Sequence, residues 1–306
     1  MTIKSITVVG AGTIGLSWAS LFLSHGHHVT LTDIREDLET VWIRHHESVQ
    51  TTLESLGLPT SYSKDVLRFT NNLKEALVDA DWVQENGPEN REFKQQLYQQ
   101  MERFAPAHTL FFSSSSTLPA SEISANMEDA SRVAIGHPFN PPLVMPLVEV
   151  VAGEKTAPQT IDQAMKFYQS LGKKPQLIKK EVFGFVANRL QFALLREAMH
   201  LADEGVVTMA EMDEIVKDSI GLRWAVTGPM LGMHLGGGEG GMAAFVKHLG
   251  PTMEKTWAAQ GNPLMDEETR QRLAALAFES YGSTSIEELA KWRDKQQLSI
   301  LQSRKN

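Results

Sequence analysis

The segment VVGAGTIG, Val8–Gly15, places glycines at positions 10, 12 and 15 directly after the β-rich run SITVVG. The next stretch, TIGLSWASLFLSHG (13–26), has a helical pattern ending on Gly26, and HVTLTD (28–33) is β-branched again. A chain turns this sharply from strand to helix where a glycine can take unusual backbone angles, the role of the first of the three. The second lets a pyrophosphate approach the backbone, and the third lets helix and strand pack closely. The first helical residues, Thr13 and Ile14, then present free N–H groups and a partial positive charge to an anion. Asp33 lies 23 residues past Gly10, at the end of the second strand. Its carboxylate is suited to accept hydrogen bonds from ribose hydroxyls and to repel a 2′-phosphate. The set predicts an NAD site contacted by Gly10, Gly12, Thr13, Ile14, Gly15 and Asp33. Arg35, two residues further on, works against the discrimination, since a guanidinium there favours NADP.

Strand and helix signals go on alternating. DWVQEN (81–86), TLFFSS (109–114) and RVAIGH (132–137) read as short strands, each preceded by helix-like sequence, and LVEVVAG (147–153) and QLIKK (176–180) add further strands. The alternation predicts an α/β fold, a Rossmann-type doubly wound parallel sheet. After VFGF (182–185) the β signals stop. FVANRLQFALLREAMHLADEG (185–205) reads as a long amphipathic helix, and Thr208 with Glu211, like Ser285 with Glu288, has capping-box spacing. The expected organisation is an NAD-binding domain over residues 1–183 and an all-helical domain over 184–306. The second is expected to complete the site and to form a homodimer.

Composition narrows the chemistry. Cysteine is absent, which excludes thiol catalysis, disulfides and thiolate metal sites; no metal is expected. No run of about 18 apolar residues is present, so no membrane span is expected. MTIKSITVVG enters strand pattern at once, without the pattern of a secretory signal, so a cytoplasmic location is expected. A net charge of −8 without a basic block argues against nucleic acid as a partner. An anionic ligand must therefore find local positive charge.

GHPFNPPLVMPLVEVV (136–151) is the second informative stretch. His137 ends a predicted strand before Pro138, and Glu149 follows twelve residues later in a β-rich run. Open α/β sheets bind ligands beyond the C-terminal ends of their strands, which places His137 on the cofactor's side. An imidazole there is suited to take a hydroxyl proton as hydride leaves, and a carboxylate on its other nitrogen fixes the tautomer. Glu149 is the candidate for that carboxylate.

The motifs GAGTIG (10–15), QENGPENREFK (84–94), SSSSTLP (113–119), GHPFNPP…PLVEVV, KEVFGFVANRL (180–190) and GLRWAVTGPMLGMHL (221–235) together resemble the 3-hydroxyacyl-CoA dehydrogenase superfamily over nearly the whole chain. Within it the chain resembles the branch that contains L-gulonate 3-dehydrogenase (lambda-crystallin) and L-carnitine dehydrogenase. The resemblance makes His137 the catalytic histidine and Glu149 its partner. Ser116 and Asn188 correspond to the residues holding the substrate oxygen, and Asn140 to the asparagine beside the nicotinamide. Glu89 and Lys94 correspond to the pair near the nicotinamide ribose. Arg223 matches an arginine of the gulonate enzymes and is expected to pair with a substrate carboxylate. The activity implied is NAD-dependent oxidation of a secondary alcohol β to a carboxylate. A non-catalytic crystallin-like protein or NAD sensor is the alternative of a different class.

A CoA ester brings several phosphates, yet residues 35–64 carry Arg35, Arg44 and Lys64 against five Asp and Glu. The field is poor for a polyanion, so a small free 3-hydroxy acid is expected over an acyl-CoA. The finer signals divide. GLRW and HLGGGEGGM lean towards the carnitine enzymes, whose quaternary ammonium substrate calls for an aromatic cage. Asn188 and Leu195 lean away from them, since they tend to carry Asp and Trp at those positions. A gulonate-like polyol acid is expected first and carnitine second.

Overall fold

A computed structural model describes residues 3–304. The chain packs as two units. One is built from the residues through Asn188 together with those from Ala290 onward, and the other is Arg189–Leu289.

The first unit runs β1 (Ser5–Val9), α1 (Thr13–Ser24), β2 (His28–Thr32), α2 (Leu38–Leu56), β3 (Leu67–Thr70), α3 (Leu73–Leu77), β4 (Trp82–Glu85), α4 (Arg91–Phe104), β5 (Leu110–Ser113), α5 (Ala120–Ile123), β6 (Val133–Pro138), β7 (Leu147–Ala152), α6 (Pro158–Ser170) and β8 (Lys174–Ile178). Among the described residues the strands form one eight-stranded sheet, ordered β3-β2-β1-β4-β5-β6-β7-β8. The order reverses between β1 and β4, which leaves a crevice at the carboxyl ends of those strands. The doubly wound expectation holds for this sheet, with one refinement. β6 and β7 pair antiparallel, and the other neighbours pair parallel. The physical reason lies in the connection: residues 139–146 are too few for a crossover, which needs about a dozen residues, so the chain must return alongside itself. β3 was not anticipated. It is a four-residue edge strand, half-buried, and LRFT carries little periodic signal.

Helices cover both faces of the sheet and give it two apolar cores. Phe112 packs with Trp18, Phe22, Trp82 and Tyr168, while its neighbour Phe111 packs with Tyr98, Met101, Ile123 and Val133 on the other side. Successive strand residues point to opposite faces, so adjacent phenylalanines serve different cores. The Trp82 and Phe112 rings stack with centroids 3.9 Å apart.

α7 (Ala187–Asp203) starts in the first unit and continues into the second, which adds α8 (Met209–Val216), a π-helical turn (Lys217–Gly221), α9 (Leu222–Val226), α10 (Gly228–Gly236), α11 (Gly241–Ala259), α12 (Glu267–Tyr281) and the start of α13 (Ile286–Ser303). The rest of α13 packs with the first unit. The Thr208–Glu211 capping box forms as expected, and Ser285 and Glu288 make the same reciprocal bonds. Arg272 forks onto Asp203 with both contacts at 2.9 Å, and Tyr281 donates to Asp213. Apolar burial is sparse here: between residues 189 and 289 the buried hydrophobic side chains are Ala202 and Leu273. Leu190, Phe192, Leu222, Met230, Trp257 and Phe278 are all exposed. No helix among the described residues is long and apolar enough to cross a membrane.

Candidate active site

The crevice begins at the end of β1. Gly10 sits at φ +94°, and a Cβ there would lie 2.9 Å from the Asn86 carbonyl oxygen. A Cβ at Gly15 would collide with the Gly10 carbonyl oxygen, so this glycine is required by the contact between helix and turn. Gly12 differs from both. It has an ordinary φ of −77°, and a Cβ there would meet no atom within 4 Å. Nothing in the fold demands glycine at that position, so the open space before it is best explained by a ligand approaching the backbone. Gly12 is also the N-cap of α1 and caps it with no side chain, so the first N–H groups at Thr13 and Ile14 remain available to a phosphate.

Asp33 closes the next part of the crevice. It accepts from the Ala11 N–H at 2.6 Å and the Arg35 N–H at 3.2 Å. The Arg35 guanidinium turns away to Asp37, with contacts of 2.7 and 3.2 Å. A cleft of about 610 Å³ runs from Gly10, Gly12 and Asp33 past Leu73, Phe93 and Leu97. Apolar walls, a carboxylate and an uncapped helix N-terminus fit the adenosine and pyrophosphate of NAD.

His137 lies near the end of β6 and Glu149 near the start of β7, directly opposite each other in the antiparallel register. Opposed residues of such a pair share one face of the sheet. His137 Nδ1 and Glu149 Oε2 are 2.9 Å apart, and both residues are buried. With Nδ1 donating to the carboxylate, Nε2 carries the lone pair and is the atom able to accept a proton. Glu149 Oε1 accepts from the Val186 and Ala187 N–H groups, at 3.0 and 2.9 Å, where α7 begins. Burial pushes the Glu149 carboxyl upward, but the His137 bond and the two backbone donors outweigh it and hold the group below its ordinary value. The Phe139 and Phe185 rings pack on the imidazole, 5.3 and 5.6 Å away.

The structure also brings Ser116 and Asn188 together, through a 3.3 Å bond from the Asn188 amide to the Ser116 carbonyl. Glu89 organises the serine loop: its Oε1 accepts from the N–H groups of Ser116 and Thr117 and from the hydroxyls of Ser115 and Thr117, at 2.7–3.0 Å. Burial raises the Glu89 carboxyl, while these donors and Lys94 bring it below its ordinary value. Lys94 is buried and reaches Glu89 only at 4.0 Å. Its ammonium bonds instead to both oxygens of Glu85, at 2.7 and 2.9 Å, and to the Gly87 carbonyl. Glu85, which the sequence reading passed over, also accepts from the Ser113 hydroxyl and the Gly87 N–H. Its signal was a carboxylate inside the strand run DWVQEN. Asn140 is exposed in the loop after β6. Arg223 is exposed on α9 in the second unit, where its stem lies against Gly232.

The chain is similar to known proteins over most of its length. The family description "3-hydroxyacyl-CoA dehydrogenase, NAD binding domain" matches residues 5–182, and the C-terminal domain of the same family matches residues 184–270. L-carnitine dehydrogenase of Streptomyces griseus is 40% identical over 301 residues, covering 98% of this chain and 90% of its own. That of Streptomyces coelicolor is 39% identical over 301 residues, covering 98% and 95%. The crystal structure of 5-formyl-3-hydroxy-2-methylpyridine 4-carboxylic acid 5-dehydrogenase, an NAD+-dependent dismutase, superposes with a TM-score of 0.79 at 29% identity, covering 98% of this chain and 97% of that one.

Gly15→Ala lowers the melting temperature by several degrees, an overpacking cost of about 1–3 kcal/mol, whereas Gly12→Ala melts like the parent and binds NADH at least about tenfold more weakly; thermal melts and NADH fluorescence titration separate the two. Glu149→Gln turns the His137 Nδ1 partner from acceptor to donor, moves the proton to Nε2 and lowers kcat by about 10³–10⁴-fold. Because the Glu149 carboxyl is depressed in the folded state, its stabilisation is complete above the ordinary value of 4.5 and is lost as pH falls through the folded value. The stability difference between parent and Glu149→Gln therefore shrinks in acid, which denaturant melts at pH 7 and below pH 4.5 measure.

Proposed function

Because this chain belongs to the 3-hydroxyacyl-CoA dehydrogenase family and is an NAD-dependent dehydrogenase, we propose that it oxidises the 3-hydroxyl of a small free 3-hydroxy acid. The observation that carries the reading is the 2.9 Å bond between His137 Nδ1 and Glu149 in a buried, strand-fixed pair. NAD, when bound, supplies the hydride acceptor. His137 Nε2 takes the hydroxyl proton, and Glu149 stabilises the imidazolium that forms. Ser116 and Asn188 hold the substrate oxygen as it changes from alcohol to ketone. Glu89, Lys94 and Asn140 shape the nicotinamide end, Lys94 by way of Glu85. Arg223 pairs with the substrate carboxylate. Asp33 favours NAD over NADP, and Asp37 supports that preference by occupying the Arg35 guanidinium.

L-carnitine is the leading substrate. The support is the run of relatives named L-carnitine dehydrogenase at 36–40% identity, and it moves carnitine ahead of the gulonate-like acid expected first from the sequence. The polyol acid stays as the second reading, on Asn188 and Leu195. An acyl-CoA fits less well, since Arg35, one of three cations in residues 35–64, is already paired with Asp37. We also propose a homodimer, because two buried hydrophobic side chains are too few to stabilise a helical unit of this size, and its exposed leucines and aromatics need a cover.

NADH formation from NAD with L-carnitine, L-gulonate, 3-hydroxybutyrate and 3-hydroxybutyryl-CoA tests the substrate. Carnitine is expected to give the highest kcat/KM by at least about tenfold, a difference of 1.4 kcal/mol in transition-state binding; turnover restricted to the CoA ester overturns the free-acid reading. Light scattering on the eluted protein is expected to give twice the chain mass of 34.0 kDa, and a monomer at micromolar concentration counts against the dimer.

A further inference from the structure

The segment that leads into α7 has an unusual backbone. Gly184 and Phe185 are consecutive residues with positive φ, +74° and +47°. Glycine adopts this region freely, whereas for a bulky side chain it is an outlier that persists only where the surroundings impose it. Phe185 is fully buried. Its N–H turns back to the Val182 carbonyl at 3.1 Å, and its ring joins the apolar core that holds Phe111, Val133 and Val151. There it packs against the His137 imidazole, with ring planes 52° apart.

The next three residues reach the rest of the site. Val186 and Ala187 donate to Glu149, and Asn188 donates to the Ser116 carbonyl. Four consecutive residues thus contact the imidazole, its carboxylate and the serine loop. The left-handed turn makes this possible: with the chain reversed at Phe185, the ring points inward while the following N–H groups face the carboxylate. The imidazole needs such support. A single hydrogen bond at Nδ1 fixes one point of the ring and leaves it able to swing about that bond. The tilted Phe185 ring, packing on the imidazole from the core together with Phe139, restricts that swing without competing for Nε2.

We infer that Phe185 is a positioning residue for the His137–Glu149 pair, its ring setting the plane of the imidazole and its left-handed backbone aiming the Val186 and Ala187 N–H groups at the carboxylate. The role rests on the dehydrogenase reading of His137. It predicts that the residue matters to kcat and not to cofactor binding.

Phe185→Leu keeps apolar volume and loses the flat ring, and Phe185→Gly keeps the left-handed backbone at no steric cost and loses the ring altogether. Both are expected to lower kcat about 10- to 100-fold, with the KM for NAD and the NADH affinity within about twofold of the parent. Ala187→Pro removes one Glu149 donor at the first helical position, where proline is tolerated. It leaves the core alone, and so keeps the test decisive should the Phe185 variants fail to fold. Its kcat/KM pH profile is expected to have an acid limb displaced to higher pH. The parent is expected to show one sharp His137 ring resonance, identified by its loss in His137→Gln, and the Phe185 variants a broadened or split one. Folded Phe185 variants with parental kcat and a single sharp resonance overturn the inference, as does an unmoved acid limb in Ala187→Pro. If the parent turns over no 3-hydroxy acid, the dehydrogenase reading falls, and the resonance still decides whether Phe185 orders the ring.

Discussion

The arrangement depends on one pairing, His137 against Glu149 across two antiparallel strands in a sheet that is otherwise parallel. In a parallel pair the two side chains would have come from separate crossovers, and their approach would depend on the packing of a helix. Here the short connection of residues 139–146 forces β7 back along β6, and the ladder itself brings imidazole and carboxylate into contact. The ladder thus sets the distance between imidazole and carboxylate, while the tilt of the ring is left to the aromatic side chains packed on it. The remaining Glu149 oxygen is then spoken for by the start of α7, which ties the first turn of that helix to the pair.

A chain of net charge −8 that binds an anionic cofactor has an electrostatic problem, and the structure solves it with the backbone. The positive end of α1 faces the crevice through open space at Gly12 and needs no lysine. The acidic side chains nearby are neutralised in the same way. Asp33, Glu89 and Glu149 each accept two or more backbone N–H groups, and Glu85 is matched by the buried Lys94. That ion pair has a conditional value. Both charges are fully desolvated, so deleting one partner strands the other at a cost of about 3–5 kcal/mol. Its contribution is to fix the loop from Gly87 to Glu89, on which the serine loop hangs.

Much of this was legible in the sequence because the decisive signals are local. GxGxxG between a strand and a helix, with an acid at the end of the next strand, fixes chain direction, turn chemistry and ligand side together. The capping boxes at Thr208 and Ser285 need only four residues each. The antiparallel return was readable in principle, because eight residues between two strands leave no room for a crossover, yet alternation of strand and helix elsewhere pulled the expectation towards a uniformly parallel sheet. Other features were not legible. The Lys94–Glu85 bond pairs residues nine apart on different elements, and the Phe185 backbone angle is set by the packing around it. Nothing in the letters FGF distinguishes a ring folded inward onto a histidine from one of the exposed aromatics available to a cationic substrate.

That last distinction bears on specificity. The Phe185 ring is buried in the apolar core and engaged with the imidazole, so it has no free face to offer a cation. Phe183, only two residues earlier, is 71% exposed, and Trp224 is 38% exposed on α9 beside Arg223. A substrate with a carboxylate at one end and a quaternary ammonium at the other needs one guanidinium and at least one open aromatic face. A polyol acid needs the guanidinium and hydrogen-bond partners instead. Neither requirement is met by the buried His137–Glu149 pair, whose contacts are to each other, to backbone N–H groups and to apolar rings.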